Sequence, residues 1–365
     1  MNLAPLDVRS RLSRLRERLA TSDLPALLVT KLANIRYLTG FTGSAATLLV
    51  AGDDVLFVTD GRYATQAGEQ LAAAGVDARV EIGITMAAQR ETLAAAVSAY
   101  PRLGLEEHAI TWAQQREYEG AFAGVELVPA GTLVEDLRRV KDAGEVDRIR
   151  AACAIADDAF QALLGRLAAG ITERQFALEL EFAMRERGAS GNSFDPIIAA
   201  GPNAAKPHAR PSDRPIGRNE LVVCDFGCIV DGYCSDMTRT VSIGDPGVEA
   251  RRLYEVVLES QATGRAAVAR DVECATVDKA ARDVIAAAGW AEAFSHSTGH
   301  GVGLEIHEAP RVASTARDTL LVGDVVTVEP GVYLPGVGGV RIEDTLVVTA
   351  EGAEPLTLTR KDLVL

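Results

Sequence analysis

Apolar positions in the first third of the chain follow two alternating periods. Val8, Leu12, Leu15 and Leu19 recur at three- and four-residue spacing in an Arg-rich stretch, which predicts an amphipathic helix with a core-facing stripe rather than a membrane anchor. Residues 24–30, 45–50 and 55–59 are short apolar runs of strand length, and 64–74 and 90–99 are Ala-rich helical stretches. Strands alternating with helices predict an α/β layer. The pattern changes at residues 131–141: after Pro129-Ala130-Gly131 the chain is charged and helical through Arg150. This shift sets two domains, 1–132 and 133–365. Thr172 and Gln175 then form a capping-box pattern opening a helix that runs towards Arg187, because each side chain can satisfy the other's free backbone N–H. Residues 190–205 read as loop-rich.

Two later segments predict β-ribbons. Residues 221–229 and 234–243 flank Asp231-Gly232, the strongest short signal for a two-residue hairpin turn. With that pair at the turn's centre, Asp225 faces Thr238 and Gly227 faces Asp236. Residues directly opposed, and residues two apart along a strand, share a sheet face. Asp225 and Asp236 are therefore diagonal neighbours, with Cα atoms roughly 7–8 Å apart, and a slip of one residue would separate them. The second ribbon joins residues 325–329, ending in Glu329-Pro330-Gly331, to 339–348, which follows Pro335-Gly336-Val337-Gly338. Arg341, Glu343 and Thr345 alternate onto one face there, and an Arg beside a carboxylate can orient it or meet developing negative charge. His300 sits between Gly299 and Gly301 with Gly303 beyond, so backbone can pass close to a ligand.

Asp225, Asp236, His300, Glu329 and Glu343 are thus candidate metal ligands. Two divalent cations would neutralise the four carboxylates, which without metal would repel and force some to protonate. Oxygen-rich ligation with one imidazole suits manganese, cobalt or zinc in a reactive site more than a structural zinc. Two ions about 3.5–4 Å apart could share a bridging hydroxide. Taken singly each residue has a blander explanation: a lone Asp beside a turn is usually solvated or capping, and a lone His is usually a satisfied core or loop residue. The joint pattern carries the weight. The chain has five His, and His208, His296, His300 and His307 all fall among the carboxylates. Cys224, Cys228 and Cys234 surround the Asp hairpin, but Cys224 and Cys228 have strand parity opposite to Asp225, and soft thiolates fit poorly beside hard carboxylates.

Together these phrases resemble a known family. Pro207-His208-Ala209, Val223-Cys224-Asp225-Phe226-Gly227, Ser235-Asp236-Met237-Thr238-Arg239-Thr240, Thr298-Gly299-His300-Gly301-Val302-Gly303 through Ile306-His307-Glu308, Val328-Glu329-Pro330-Gly331-Val332-Tyr333 and Arg341-Ile342-Glu343-Asp344 resemble, in order and spacing, the pita-bread metallopeptidases. That group includes methionine aminopeptidase, aminopeptidase P, prolidase and creatinase. The resemblance implies an α+β chain with an N-terminal creatinase-like α/β domain and a C-terminal pita-bread catalytic domain. It makes Asp225, Asp236, His300, Glu329 and Glu343 the ligands of two metal ions, most simply Mn2+, with Co2+ or Zn2+ as alternatives. Creatinase lacks that set. His208, His296 and His307 match the histidines that hold the substrate carbonyl and scissile region in the proline-specific branch, and Arg341 matches that branch's arginine. Tyr333 is expected to help accept the proline ring. Gly40-Phe41-Thr42-Gly43-Ser44 and Thr59-Asp60-Gly61-Arg62-Tyr63 resemble the N-terminal domain of the aminopeptidase P branch.

The implied activity is an Xaa-Pro aminopeptidase, in which a metal-bridging hydroxide attacks the carbonyl before proline. Glu329 would act as base and proton shuttle, and His307 and His208 would stabilise the oxyanion. The same chemistry restricted to two-residue substrates would make an Xaa-Pro dipeptidase, and a silent peptide- or protein-binding homologue would be expected to have lost ligands. Bulk properties narrow the class. A chain of 365 residues, 48% apolar, can bury two cores. A net charge of −14 argues against a nucleic-acid partner. No 7–15-residue apolar leader and no membrane-length apolar stretch are present, and five cysteines without zinc-knuckle spacing point to reduced thiols in a cytoplasm. The family resemblance also implies a homodimer.

Overall fold

The alternation of the first third produces one layer of strands connected by helices. In the computed structural model, which describes residues 3–365, residues 6–138 form one unit, and residues 139–365 form the other together with residues 3–5. In the first unit α1 (Val8–Thr21) buries Val8, Leu12, Leu15 and Leu19. The strands β1 (Ala26–Val29), β2 (Ala46–Ala51), β3 (Asp54–Thr59), β4 (Arg79–Ile82), β5 (Arg102–Leu105) and β6 (Glu126–Pro129) make a single sheet in the order β4-β3-β2-β1-β5-β6. The three parallel pairs, β3 with β4, β1 with β5 and β5 with β6, need crossovers longer than a hairpin turn. Helices α2 (Leu32–Thr39), α3 (Ala64–Ala73), α4 (Met86–Val97), α5 (Trp112–Ala121) and α6 (Leu133–Arg139) complete the unit, with α3, α4 and α5 lying in those crossovers. Helix α4 begins four residues before its predicted start because the Thr85 hydroxyl accepts from Ala88 N at 3.1 Å and caps it. Gly40, at φ 73°, terminates α2. The next residue, Phe41, is buried with its ring edge-on to Phe57 and Tyr63, so the two glycine-containing phrases shape a local corner of this unit.

The second unit is two helix pairs backed by antiparallel sheet. Helix α7 (Ala143–Leu163) opens on a reciprocal cap between Asp142 and Glu145, and α8 (Glu173–Glu186) on the predicted one between Thr172 and Gln175. Their apolar faces pack on β8 (Ile197–Ala200), β9 (Leu221–Phe226) and β12 (Met237–Ser242) through Phe160, Phe176, Leu180, Ile198, Val222 and Phe226. Short strands β7 (Gly191–Asn192), β10 (Cys228–Val230) and β11 (Tyr233–Cys234) form the sheet β11-β10-β7. Helices α9 (Val248–Ala267) and α10 (Cys274–Ala287) approach closely at Gly264, where an added Cβ would lie 3.1 Å from Ala281 Cβ. They cover the sheet β14-β13-β15-β18-β19, built from β13 (Gly299–Gly301), β14 (Glu308–Val312), β15 (Val325–Val328), β18 (Asp344–Val348) and β19 (Ala353–Pro355), with β16 (Gly331–Leu334) and β17 (Gly338–Arg341) as a separate pair.

The long strands expected from the apolar runs are each interrupted beside candidate ligands. The first breaks at Gly227, where a Cβ would stand 1.9 Å from Ser235 O; the chains pinch there and pass from one small sheet to the next. The second breaks at Ile342-Glu343, opposite Glu329-Pro330, because Pro330 has no N–H to give the ladder. Residues 190–205, expected as loop, contain β7 and β8 because Ile197–Ala200 pair with β9 beside Asp225. Among the described residues no helix is long and apolar enough to cross a membrane.

Candidate metal centre

The first ribbon turns at Asp231 and Gly232, both at positive φ (45° and 81°), the conformation of the tight turn whose twist matches its strands. Its register runs Val230 to Tyr233 and Ile229 to Cys234, then Phe226 to Met237 and Asp225 to Thr238, so Gly227 and Asp236 oppose each other at the pinch. The second ribbon keeps one register on both sides of its break: Thr327 faces Thr345, Val328 faces Asp344, and Gly331 faces Arg341. Glu329 therefore stands directly across from Glu343. The two ribbons are stitched together by Glu343 N to Thr238 O at 3.1 Å, Thr345 Oγ1 to Asp236 O at 2.8 Å and Thr240 Oγ1 to Arg341 O at 2.8 Å. His300 reaches them from β13, its N–H donating to Thr327 Oγ1 at 3.1 Å. Its glycine neighbours are required by close approach, since a Cβ on Gly299 would lie 2.0 Å from Thr327 O and one on Gly301 2.3 Å from Ala309 O.

All five candidate ligands line one cavity. One ligand atom from each of Asp236, His300 and Glu343 lies within 4.8 Å of the others. His300 Nε2 is 3.4 Å from Asp236 Oδ2 and 3.5 Å from Glu329 Oε1. Its Nδ1 lies 3.0 Å from Gly301 O, which can only accept, so Nδ1 carries the proton and Nε2 is the nitrogen available to a cation. Asp225 gives one oxygen to Arg341, while its Oδ1 and Glu343 Oε1 are buried with no hydrogen-bond partner.

The electrostatics of the cluster follow from burial and from the closeness of its charges. Burial, reinforced by the charge of Asp225, raises the pKa of Asp236 to about 6 against the pull of His300. Burial raises Glu329 to about 7. Glu343 is driven well above the carboxylate range by burial and by the charges of Asp236, Glu329 and Asp225. Burial opposes the His300 cation, yet its bond to Asp236 and the charge of Glu329 lift its pKa to about 9. Three carboxylates pushed towards protonation, two bare buried oxygens and a correctly presented imidazole fit a site for divalent cations.

These groups open on a cavity of about 640 Å³ whose wall includes His208, His296, His307 and Arg341. The rings of His300 and His307 meet edge to face at 4.3 Å between centroids, and burial together with the nearby His300 lowers the His307 pKa. Tyr333, expected against the substrate, lies behind this wall instead. Its hydroxyl accepts from Arg341 Nη1 at 2.6 Å and lies 2.9 Å from His296 Nε2. His296 Nδ1 is 2.9 Å from Ser297 O and so holds the ring proton. Burial, then the charge of Arg341, depresses the His296 pKa to about 4, and the neutral Nε2 accepts from Tyr333. The chain of bonds runs one way, Arg341 to Tyr333 to His296, and holds both wall residues. None of the cysteines joins the cluster: all five are buried and free, and burial holds Cys228 and Cys234 at about 11 and about 12.

The cavity has features that the motifs did not reveal. Phe194, Pro196, Ile197 and Ile306 supply apolar wall, and Arg210 and Arg311 supply cationic rim. Arg311 stands across from His300 in β14, with its guanidinium in no ion pair or hydrogen bond among the described residues. That pairing includes a register shift between His300 and Gly301, so strand parity in the sequence could not have found it.

Comparison with known proteins adds identity to this geometry. The model of the family described as Metallopeptidase family M24 matches residues 147–350, and that of the Creatinase/Prolidase N-terminal domain matches residues 11–140. An Xaa-Pro dipeptidase of Pyrococcus horikoshii is 33% identical over 359 residues, 98% of this chain and 99% of the relative. The solved Xaa-Pro dipeptidase from Bacillus anthracis superposes with a TM-score of 0.93 at 37% identity, covering 98% of this chain and 100% of that one. The X-Pro aminopeptidase from Thermotoga maritima does so with a TM-score of 0.88 at 34% identity, over 97% and 99%.

Proposed function

The chain belongs to metallopeptidase family M24 and carries a creatinase/prolidase N-terminal domain, and on that footing we propose that it is a two-metal Xaa-Pro dipeptidase. The observation that carries the choice of substrate is the cationic rim: Arg210 and Arg311 line the same cavity as the ligand cluster, where they can read the free carboxylate that a dipeptide has immediately after its proline. The two dipeptidase relatives support the same reading. Proline explains the need for a dedicated enzyme, since a peptidase that must bond the N–H of the leaving residue finds none in an Xaa-Pro bond.

Asp225, Asp236, His300, Glu329 and Glu343 would hold the ions. When bound, these supply an activated water near neutral pH and positive charge for the transition state. Glu329, across from Glu343 and beside His300, takes the proton of the attacking water and returns it to the leaving proline nitrogen. His307 and His208 bond the oxyanion as it forms. Arg341, neutralising one oxygen of Asp225 and braced by Tyr333, fixes that carboxylate's orientation. Phe194, Ile197 and Ile306 exclude water and accept apolar side chains.

The second reading, an Xaa-Pro aminopeptidase acting on longer peptides, is favoured by the likeness to the Thermotoga maritima enzyme. Metal-free protein resupplied with Mn2+, Co2+ or Zn2+ and offered Leu-Pro and Leu-Pro-Gly separates the two. Dipeptidase activity predicts release of leucine from Leu-Pro, with an Arg311→Ala variant raising KM for that substrate. Preference for Leu-Pro-Gly would transfer the assignment to the aminopeptidase, and no cleavage of either with any metal would refute both.

A further inference from the structure

Two residues of the cavity wall, His208 and Arg210, hold their direction without bonds of their own. Both line the cavity and both are exposed, with Ala209 buried between them. Among the described residues neither side chain makes a hydrogen bond or an ion pair. Their aim is therefore set by the backbone that carries them, a strap of residues 200–212 that leaves β8 at Ala200. The strap lies against β17, where a Cβ on Gly339 would stand 2.0 Å from Ala204 O. Next to His208, Pro207 O accepts from Arg341 Nη1 at 3.2 Å.

Both ends of the strap meet one carboxylate. Glu173, the first residue of α8, is fully buried. Its Oε1 accepts from Ala200 N at 2.8 Å and Asn203 Nδ2 at 3.1 Å, and its Oε2 from Asn203 Nδ2 at 3.1 Å, Ser212 N at 3.0 Å and Ser212 Oγ at 2.5 Å. A carboxylate in the interior needs such donors, and the N-terminus of α8 favours its charge. Every group that meets the two oxygens is a donor. A glutamine of the same shape would turn its own NH2 against them. The trailing end also bonds the start of α8 through backbone, Arg174 N to Ser212 O at 3.0 Å and Glu173 N to Arg214 O at 3.1 Å, so the side chain governs the strap's path rather than its attachment.

We propose that Glu173 is a positioning residue: by drawing Ala200, Asn203 and Ser212 onto one carboxylate it fixes the 200–212 strap and so aims His208 and Arg210 at the substrate. The inference rests on the hydrolytic reading above. None of the candidate metal ligands lies on the strap, so Glu173 acts on the substrate's side of the site and leaves the ions alone.

The experiment combines kinetics on Leu-Pro, metal affinity by chelator competition and the histidine Hε1 NMR signals of metal-free protein, with His208 and His300 assigned by loss of their signals in His208→Ala and His300→Ala. Glu173→Gln is expected to lower kcat/KM about tenfold at saturating metal, within what misplacing a group at the reacting centre costs, while metal affinity stays within about twofold. The His208 signal should shift and the His300 signal should not. In a His208→Ala/Arg210→Ala background the same substitution should change kcat/KM by less than about twofold, because it acts through those two groups. Losses that multiply in that background, a His208 signal unmoved by Glu173→Gln, or a fall in metal affinity matching the fall in activity overturn the proposal. Should Glu173→Gln fail to fold, Ser212→Ala decides, since it removes one bond to the carboxylate. A displaced His208 signal with a loss of about threefold, the worth of one hydrogen bond, supports the positioning role, and an unmoved signal with wild-type kcat/KM overturns it. Should wild-type protein hydrolyse nothing with any metal, the hydrolytic reading fails, and the two histidine signals still test whether Glu173 sets the strap.

Discussion

The two ribbons that build the centre present carboxylates in different ways. In the first, Asp225 and Asp236 are diagonal neighbours around a glycine, and a tight turn a few residues away sets their register. In the second, Glu329 and Glu343 oppose each other directly at a point where the ladder is interrupted, and the register survives because it is pinned on both sides, by β15 with β18 and by β16 with β17. A tight turn protects register cheaply but only nearby. Bracketing by two strand pairs protects a pair that stands across a gap. The first ribbon should therefore fail when its pinch is disturbed, and the second should tolerate changes in its distant loop.

The largest effect is expected at the second ribbon. Glu329→Gln should lower kcat by about 10²–10⁴, the range for loss of a general base, when assayed at a metal concentration that saturates the variant; unchanged kcat with metal bound would remove Glu329 from the proton path. Next comes a test of pinch against loop. Gly227→Ala places a methyl on Ser235 O and should cost about 3 kcal/mol, the upper end for overpacking. Gly336→Ala, at φ 90° with nothing within 4 Å, should cost only about 1 kcal/mol for the left-handed backbone. Equal denaturation midpoints for the two variants would erase the contrast.

The seam between ribbons is tested at Thr238, whose hydroxyl donates to Glu343 Oε2 at 2.7 Å and accepts from Arg341 Nε at 3.2 Å. Thr238→Val keeps the shape and should weaken metal binding about 10–100-fold, read by competition with a chromogenic chelator; wild-type affinity would mean that the ribbons orient Glu343 without it. The smallest effect is a dependence on pH. Asp236 and Glu329, at about 6 and about 7 without metal, favour the fold when protonated. That stabilisation is complete below about pH 4 and is lost as pH rises through 6 and 7. The melting temperature of metal-free protein should fall over this window and that of metal-loaded protein should not, so a gap between them that stays constant from pH 5 to 8 would refute the assignment.

What was legible in the sequence is what neighbouring residues settle among themselves. The stripe on α1 follows from periodicity, the cap on α8 from Thr172 and Gln175, and the facing of Asp225 with Thr238 from Asp231-Gly232, because each depends on contacts within a few residues or across one short turn. The five candidate ligands were readable as a set because each sits in its own local phrase. Other features were beyond local reading. Stitching one ribbon to the other, placing Arg311 across from His300 after a register shift, setting Tyr333 behind the wall and bringing Glu173 to Ser212 join residues 8 to 109 positions apart. Even the shortest of these spans, Tyr333 to Arg341, depends on where β16 and β17 stand relative to the cavity. Backbone periodicity determines which face a side chain takes, and only the packing of whole strands and helices determines what that face meets.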